Sequence, residues 1–407
     1  MERPETVAKY AKYVSPGKVD TYTKYDVMLV PQKRKGSFIY DVNGTRYINC
    51  HCNGGVFNLG HRNSAVIKAV TDAMKTYDIG NHHLVSEPRA SLAEKIARNM
   101  PPGLNQVVYG VGGGEAIDLA IKLARGVTGR SQVISAKGGY HGHTGFALAT
   151  GDTRYREKFH PRLPGFKQVP FNDVDAIEKA VSEETAAVIF ETIPATLGIV
   201  VPDKDYFKKV RKICDDAGAL MIQDEVQTGF GRTGKLWGFQ HFNVKPDIVV
   251  MGKGMSGGIY PISATIYHEK MSYFFREDPF VHISTYGGSE IGCFAAMKVL
   301  DISSDREFLA NVNTMGKYLR KEITGFASRY SKLGCRVRGM GLMMGLEFKD
   351  ETTALFMMKL LFDNGVYLVY SGNDPRILQF LPTLVISDTE AGMVLKAIDK
   401  SMKALNG

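Results

Sequence analysis

The sequence has no apolar stretch long enough to cross a bilayer. Its apolar runs are short and interrupted, whereas a membrane-spanning helix needs about 20 consecutive apolar residues. The first residues, MERPETVAKYAKYV, include acidic, basic and tyrosine side chains but no apolar segment typical of a signal peptide. We therefore expect a cytoplasmic protein with no membrane association.

Cysteine is scarce and its number is odd. The chain has five, at positions 50, 52, 214, 293 and 335. Only CHC at 50–52 is close-set, and it has no second ligand pair at zinc-site spacing. Reduced, buried thiols and no metal site are predicted.

A concentrated basic region is also missing. The formal charge is +9, but the lysines and arginines are dispersed, without a dense run or an aromatic RNA-binding signature. No nucleic-acid partner is predicted. The charge favours solubility and mild steering of anions.

Short apolar segments alternate with helical patterns in the middle of the chain, which indicates βα units and a mostly parallel sheet. The helical patterns include EAIDLAIKLARGV and YFKKVRKICDDAG, the latter closed by Gly218. The candidate buried strands are QVVY (106–109), QVIS (132–135), AAVIF (186–190), ALMIQ (219–223) and DIVVM (247–251).

The two ends of the chain have a different character. GSFIYDVNGTRYIN places apolar runs on both sides of Asn43-Gly44, a strong hairpin signal. Beyond residue 300, helical patterns surround RVRGMGLMMGLEF, GVYLVY and LQFLPTLVIS. A chain of 407 residues is longer than a single hydrophobic core usually accommodates. We expect a large domain at 49–298 and a small α+β domain formed by 1–48 and 299–407.

Unusual residues follow each candidate strand, at the edge where open parallel sheets bind ligands. GVGGGEA can close backbone N–H groups on an anion at a helix start, and phosphate is the natural candidate. Gly110 and Gly112 begin a dinucleotide fingerprint. However, Glu115 replaces its third glycine and no acidic residue follows QVIS to bind a ribose. For GVGGGEA, a tight strand-to-helix turn without a ligand remains the structural alternative.

Three further segments complete a pattern. Tyr140 and His141 present an aromatic face suited to a planar ring, and Asp224 can hold a cationic ring nitrogen. Lys253 lies among glycines in GKGMSGG. Each residue also has a structural alternative: Tyr140 could be a core residue, Asp224 a helix N-cap and Lys253 a solvated surface residue. Together with a phosphate cradle, these groups indicate pyridoxal 5′-phosphate, with Lys253 as the Schiff-base lysine.

With these residues in place, the chain resembles the class III (ornithine/GABA/ω-amino acid) aminotransferases of PLP fold type I. The resemblance rests on DEVQTGFGRTGKLW, PDIVVMGKGMSGGIYPISA, NLGHRN, GYHGHTG, STYGGS and VRGMGLMMGLEF. It implies an α/β fold with a mostly parallel seven-stranded sheet and a homodimer with shared active sites. The implied catalytic residues are Lys253 and Asp224. The implied cofactor-binding residues are Gly112, Gly113, Gly114, Tyr140, His141, Glu191, Asp224, Gln227, Lys253 and, from the other subunit, Thr285.

The sequence departs from the family pattern at two places. Gly112 stands where the phosphate loop usually has serine. Gln379, in QFLPTL, stands where the family usually has the arginine that grips the substrate carboxylate. In relatives that arginine often pairs with the glutamate corresponding to Glu191.

Phe57, Glu191, Arg376 and Gln379 are the predicted substrate-binding residues. Either Arg376 fills the place of the missing arginine, or Glu191 is an unpaired anion that meets a second amino group on a diamino substrate.

The resemblance predicts transfer of an amino group from an amine or amino acid to a 2-oxo acid or aldehyde. An aminomutase, racemase or decarboxylase of the same family is the alternative, because Gln379 weakens the case for α-carboxylate binding. A catalytically silent protein of the same fold is disfavoured by the intact Lys253 and Asp224.

Overall fold

A computed structural model describes residues 3–407 of the chain. Its strands, numbered in chain order, are β1 (Pro31–Lys35), β2 (Phe38–Asp41), β3 (Arg46–Asn49), β4 (Leu104–Gly110), β5 (Gln132–Ala136), β6 (Phe166–Val169), β7 (Thr185–Glu191), β8 (Leu220–Asp224), β9 (Ile248–Met251), β10 (Ser263–His268), β11 (Arg336–Met340), β12 (Met343–Glu347), β13 (Val366–Tyr367), β14 (Val369–Ser371) and β15 (Asp374–Phe380).

The α-helices, numbered in the same way, are α1 (Arg3–Tyr13), α2 (Pro16–Lys24), α3 (Cys52–Gly55), α4 (Ser64–Ala73), α5 (Glu87–Ala97), α6 (Gly113–Thr128), α7 (Gly145–Thr150), α8 (Thr153–Arg156), α9 (Val174–Ala180), α10 (Tyr206–Ala217), α11 (Tyr273–Glu277), α12 (Glu290–Ser303), α13 (Arg306–Arg329), α14 (Glu351–Asp363) and α15 (Asp388–Asn406). Short 3₁₀ turns lie at Gly238–Phe242, Lys253–Ser256, Glu269–Met271 and Ser331–Leu333. Within 3–407, no helix is both long and apolar enough to span a membrane.

A seven-stranded sheet in the order β4-β10-β9-β8-β7-β5-β6 forms the centre of the large lobe. Only β10 runs antiparallel to its neighbours. Adjacent residues of β7 point to opposite faces, because Val188 and Ile189 belong to different apolar clusters. The predicted mostly parallel sheet is confirmed, with both faces covered.

All five candidate strands are strands of this sheet, and both helical patterns are helices. Gly218 ends α10 in the left-handed conformation, with φ 64°. Strands β6 and β10 were not among the candidates because neither is a simple apolar run. In β10 the hydroxyls of Ser263 and Thr265 are buried yet bonded, to the carbonyls of Gly112 and Ala116.

The ends of the chain meet in one sheet of order β1-β2-β3-β13. Strands β2 and β3 form the predicted hairpin, and β13 adds in parallel with Val366 opposite Ile48. A second small sheet has the order β11-β12-β15-β14. The boundary at 298/299 falls inside α12, which runs unbroken from Glu290 to Ser303, so the division into 1–48, 49–298 and 299–407 stays a prediction.

Candidate active site

A cavity of about 140 Å³ lies where the central strands end. Strands β7, β8 and β9 end together there, since Glu191 pairs in register with Asp224 and β9 leads directly to Lys253. Apart from Gly112 and Thr285, every predicted cofactor-binding residue lines this cavity. The lining residues are Gly113, Gly114, Tyr140, His141, Gly142, Glu191, Ile193, Asp224, Val226, Gln227, Thr228 and Lys253.

Lys253 projects into the cavity from a turn in a restricted conformation. Its φ is 42°, an uncommon value for a residue with a side chain. The amine donates to Gln227 Oε1 at 3.0 Å. Burial lowers the pKa of this amine, and the charges of Asp224 and Glu191 oppose that effect. A larger fraction of the amine is therefore neutral than for an exposed lysine.

Asp224 and His141 form a buried pair at the end of β8. His141 Nδ1 lies 2.7 Å from Asp224 Oδ2, and the backbone N–H of Val226 donates to Asp224 Oδ1 at 2.9 Å. Burial acts to lower the pKa of His141, but the hydrogen bond and charge of Asp224, with Glu191, outweigh it and raise that pKa. The pair holds one carboxylate in a fixed orientation at the cavity wall.

The start of α6 supplies a glycine-lined wall. A Cβ at Gly114 would lie 2.7 Å from Thr144 Oγ1, and one at Gly113 would lie 3.1 Å from Val226 Cγ1. Gly112, just outside the helix, has open space around it. The free N–H groups of a 16-residue helix begin here, so this wall favours an anion.

Main-chain donors hold the carboxylate of Glu191, which one of the two alternatives left open by the sequence makes an unpaired anion. Its carboxylate accepts backbone N–H bonds from Tyr140 at 2.9 Å and from Ala195 at 3.4 Å. Burial nevertheless raises the pKa of Glu191 to about 7. The sequence could not reveal this arrangement because main-chain donors carry no residue signature.

The other predicted substrate residues lie outside the cavity. Gln379 is buried, and its amide donates to the Ala195 carbonyl at 3.4 Å. Arg376 is exposed and forms two hydrogen bonds with Asp374, at 2.9 and 2.8 Å. Phe57 lines a separate, wider groove. Thr285 is exposed on the surface.

Sequence reasoning missed two residues that support the site. Gly54, with φ 65°, packs on the lysine, so that a Cβ there would lie 3.3 Å from Lys253 Cε and Nζ. Glu225, between the lining residues Asp224 and Val226 in sequence, is fully buried and accepts hydrogen bonds from four groups. In the sequence, the pair Gly54-Gly55 could have indicated the first residue, and the consecutive acidic residues at 224–225 could have indicated the second.

Between residues 3 and 407, no cluster of three or more His, Cys, Asp or Glu side chains is arranged to hold a metal ion. All five cysteines are unpaired, and all but Cys335 are buried.

Comparison with known proteins places the chain among enzymes. The family model described as aminotransferase class-III matches residues 21–402. An uncharacterized aminotransferase of Archaeoglobus fulgidus is 48% identical over 401 residues, covering 98% of this chain and 94% of the relative. The putrescine aminotransferase of Pectobacterium atrosepticum is 33% identical over 418 residues, covering 99% of this chain and 89% of the relative.

The solved structures with a similar fold are also aminotransferases. The ornithine aminotransferase from Toxoplasma gondii ME49 superimposes with a TM-score of 0.91 at 27% identity, covering 99% of this chain and 96% of that one. A transaminase from the marine bacterium Virgibacillus gives a TM-score of 0.91 at 25% identity, covering 99% of each.

Proposed function

The chain belongs to the class III aminotransferases and is a pyridoxal-phosphate-dependent transaminase, and from that premise we propose its donor class and residue roles. The preferred donor is an amine or diamine without a carboxylate on the carbon that reacts, and the preferred acceptor is, for the same reason, an aldehyde rather than a 2-oxo acid. The mutase, racemase or decarboxylase alternative is not favoured, because the relatives reported above are named aminotransferases.

The cavity fits pyridoxal phosphate in four respects. The wall at Gly113 and Gly114 suits the phosphate, and Asp224 suits the ring nitrogen. The side-chain nitrogens Gln227 Nε2 and His141 Nε2 are buried without a protein partner within 3–407, so both are available to the cofactor. Lys253 is the one lysine among the lining residues and would bond the cofactor aldehyde.

Each of these residues has a separate task. The bound cofactor supplies a ring that accepts electron density from the donor carbon. Asp224, oriented by His141, would hold a proton on the ring nitrogen of the bound cofactor. Tyr140, which lines the same cavity, would face its ring. Lys253, whose amine pKa burial lowers, would remove the proton from the donor carbon and return a proton during transfer.

The donor class rests on one observation: no arginine lines the cavity among the described residues. Gln379 is hydrogen-bonded to the backbone, and Arg376 is engaged by Asp374 on the exposed side of β15. A donor carboxylate would therefore lack the bidentate partner that it normally requires.

A donor panel tests this proposal. The holoenzyme is supplied in turn with an aliphatic diamine, a monoamine, an ω-amino acid and an α-amino acid, and kcat/KM is measured for each. We expect the diamine and monoamine to be preferred. Gln379 contacts the carbonyl of Ala195, whose N–H donates to Glu191 in the cavity wall. Gln379→Arg should therefore bring an arginine to this wall and raise kcat/KM for α-amino acids by about tenfold or more, whereas Gln379→Met should not. A wild-type preference for simple α-amino acids that Arg376→Ala abolishes would contradict the proposal.

A cytoplasmic homodimer with shared sites belongs to the same proposal. Exposed apolar side chains near Thr285 support an interface there, including Phe280, Ile283 and Tyr286, which are 57%, 47% and 58% exposed. The unpaired thiols agree with a reducing compartment.

A further inference from the structure

The turn between β14 and β15 contacts two segments that lead to residues of the active-site cavity. Gly372 and Asn373 form this turn. The Asn373 backbone N–H donates to the Thr196 carbonyl at 2.9 Å, and the Asn373 Nδ2 donates to the Gly138 carbonyl at 2.7 Å. One residue of the second small sheet therefore joins two loops that follow strands of the central sheet.

Each of these loops carries a cavity residue. Gly138 precedes Tyr140 in the loop after β5, and Thr196 follows Glu191, the last residue of β7. The side chains of Tyr140 and Glu191 both line the cavity, and the Tyr140 N–H donates to Glu191 Oε1 at 2.9 Å. The bonds of Asn373 therefore close a circuit that runs along both loops and through both cavity residues.

The side chain of Asn373 does not stabilise its own turn. Asparagine and aspartate in turns usually hydrogen-bond to nearby backbone, as the carboxylate of Asp374 does with the Arg376 N–H at 3.3 Å. Within residues 3–407, the Asn373 amide instead donates to the Gly138 carbonyl, 235 residues away in sequence. Local turn structure therefore does not explain the presence of this amide.

The turn is closely packed against the loop that carries Tyr140. A Cβ on Gly372 would lie 2.7 Å from the Tyr155 hydroxyl oxygen, and one on Gly138 would lie 2.5 Å from Leu197 Cδ1. Tyr155 meets Tyr140 edge to face, with the ring centroids 5.7 Å apart. Because so little space is left, a displacement of the turn would be transmitted to the Tyr140 ring.

We propose that Asn373 is a positioning residue that fixes the ring of Tyr140 against the bound cofactor. It does so by holding together the loops at Gly138 and Thr196. This inference rests on the proposed function, in which Tyr140 faces the cofactor ring. Asn373 does not line the cavity, so it acts through Tyr140. A misplacement of about 1 Å in a group that orients the reactants can cost about a hundredfold in rate.

The test compares Asn373→Ala and Asn373→Asp with Asn313→Ala as the matched control. Aspartate keeps the shape of the asparagine side chain but removes the donor, and both Asn373 variants keep the backbone bond to Thr196. Asn313 of α13 also donates through Nδ2 to a distant glycine carbonyl, that of Gly234 at 2.8 Å, and is half-buried like Asn373. Neither Asn313 nor Gly234 lines the cavity.

With the holoenzyme, an aliphatic diamine and a neutral aldehyde, both Asn373 variants should lose about tenfold or more in kcat, and kcat/KM should fall by the same factor. The visible circular dichroism of the bound cofactor should change, because this signal depends on how the ring is oriented in its site. Hydrogen exchange at the Tyr140 N–H, measured on the full chain before and after cofactor loading, should be faster. Asn313→Ala should leave all three measurements as in wild type.

A double variant tests the route through Tyr140. In a Tyr140→Ala background, Asn373→Ala should cause a much smaller further loss of kcat than it causes in wild type, because residues that act as a unit are not additive.

Three results would overturn the proposal. They are an equal loss of kcat in both backgrounds, equal kinetics for Asn373→Ala and Asn313→Ala, and wild-type exchange at the Tyr140 N–H in Asn373→Asp. Should Asn373→Ala fail to fold, Asn373→Asp takes its place in every comparison. Absence of amino transfer by wild type from every donor would instead refute the proposed function, and hydrogen exchange would still show whether Asn373 holds the loop of Tyr140.

Discussion

Replacing Glu225 with glutamine should destabilise the large lobe, although the two side chains have nearly the same shape. Glu225 is fully buried. Its Oε1 accepts from the Thr192 hydroxyl at 2.5 Å and the Phe239 N–H at 2.8 Å. Its Oε2 accepts from the Thr228 hydroxyl at 2.9 Å and the Gly238 N–H at 2.7 Å. One carboxylate thus ties the end of β8 to the turn at 238–239.

The magnitude follows from counting donors. Glutamine keeps one acceptor oxygen, and its amide nitrogen must face one of the two backbone N–H groups in either orientation. A buried donor left without a partner costs about 1–3 kcal/mol, and the remaining bonds lose the extra strength that a charge provides. The lower cost of burying a neutral group offsets part of this. We expect a net loss of about 2 kcal/mol at pH 8.

The only tryptophan of the chain reports this region directly. Trp237 is fully buried, precedes Gly238 and donates to the Asn99 carbonyl at 2.7 Å. Urea unfolding followed by its fluorescence measures the loss as a lower midpoint. Exposed Glu178→Gln is the control for removal of a carboxylate.

The pH dependence of the same experiment has a defined sign. Burial raises the pKa of Glu225 from 4.5 to about 7, although its hydrogen bonds act to lower it. The native state therefore binds this proton more tightly than the unfolded chain, and the contribution of Glu225 to stability falls as pH rises from 4.5 to 7. Glutamine does not titrate, so the gap between wild type and variant should be wider at pH 6 than at pH 8. Equal midpoints at pH 8, or a gap that narrows toward pH 6, would refute this reasoning.

Three predictions concern the cofactor. Lys253→Ala should abolish turnover and prevent borohydride from fixing the cofactor to the protein, as measured by mass spectrometry; retained fixation would identify another lysine. Gly114→Ala should weaken cofactor retention in dialysis, because its Cβ would lie 2.7 Å from Thr144 Oγ1, whereas Gly112→Ala, with nothing within 4 Å, should not; equal retention would argue against a close approach at this wall. Thr285→Ala should also weaken retention, and mixing such subunits with Lys253→Ala subunits should restore wild-type sites in hybrid dimers; no recovery on mixing would contradict a shared site.

The sequence predicted which polar side chains lie close together where those residues directly follow the ends of strands. Asp224 and Lys253 could be brought together before any coordinates, because parallel strands end at one edge. The backbone partners of Glu191 could not be predicted, since main-chain N–H groups look alike in any sequence. The contact of Gly54 with Lys253 joins positions about 200 residues apart in sequence and follows from packing alone. The resemblance made Gln379 a predicted substrate-binding residue, but the structure places it outside the cavity, bonded to a backbone carbonyl.

The sheet that joins both chain ends imposes a delay on the protein as it is made. Val366 pairs with Ile48, about 320 residues earlier, an interval of roughly 16 to 64 s at about 5–20 residues per second. Throughout that interval, strand β3, three of whose four residues are buried in the folded protein, lacks β13 and has an open pairing edge. We expect the incomplete chain to be prone to pairing with other chains at β3 during this interval, whereas the lysines and arginine of β1 discourage pairing at the opposite edge.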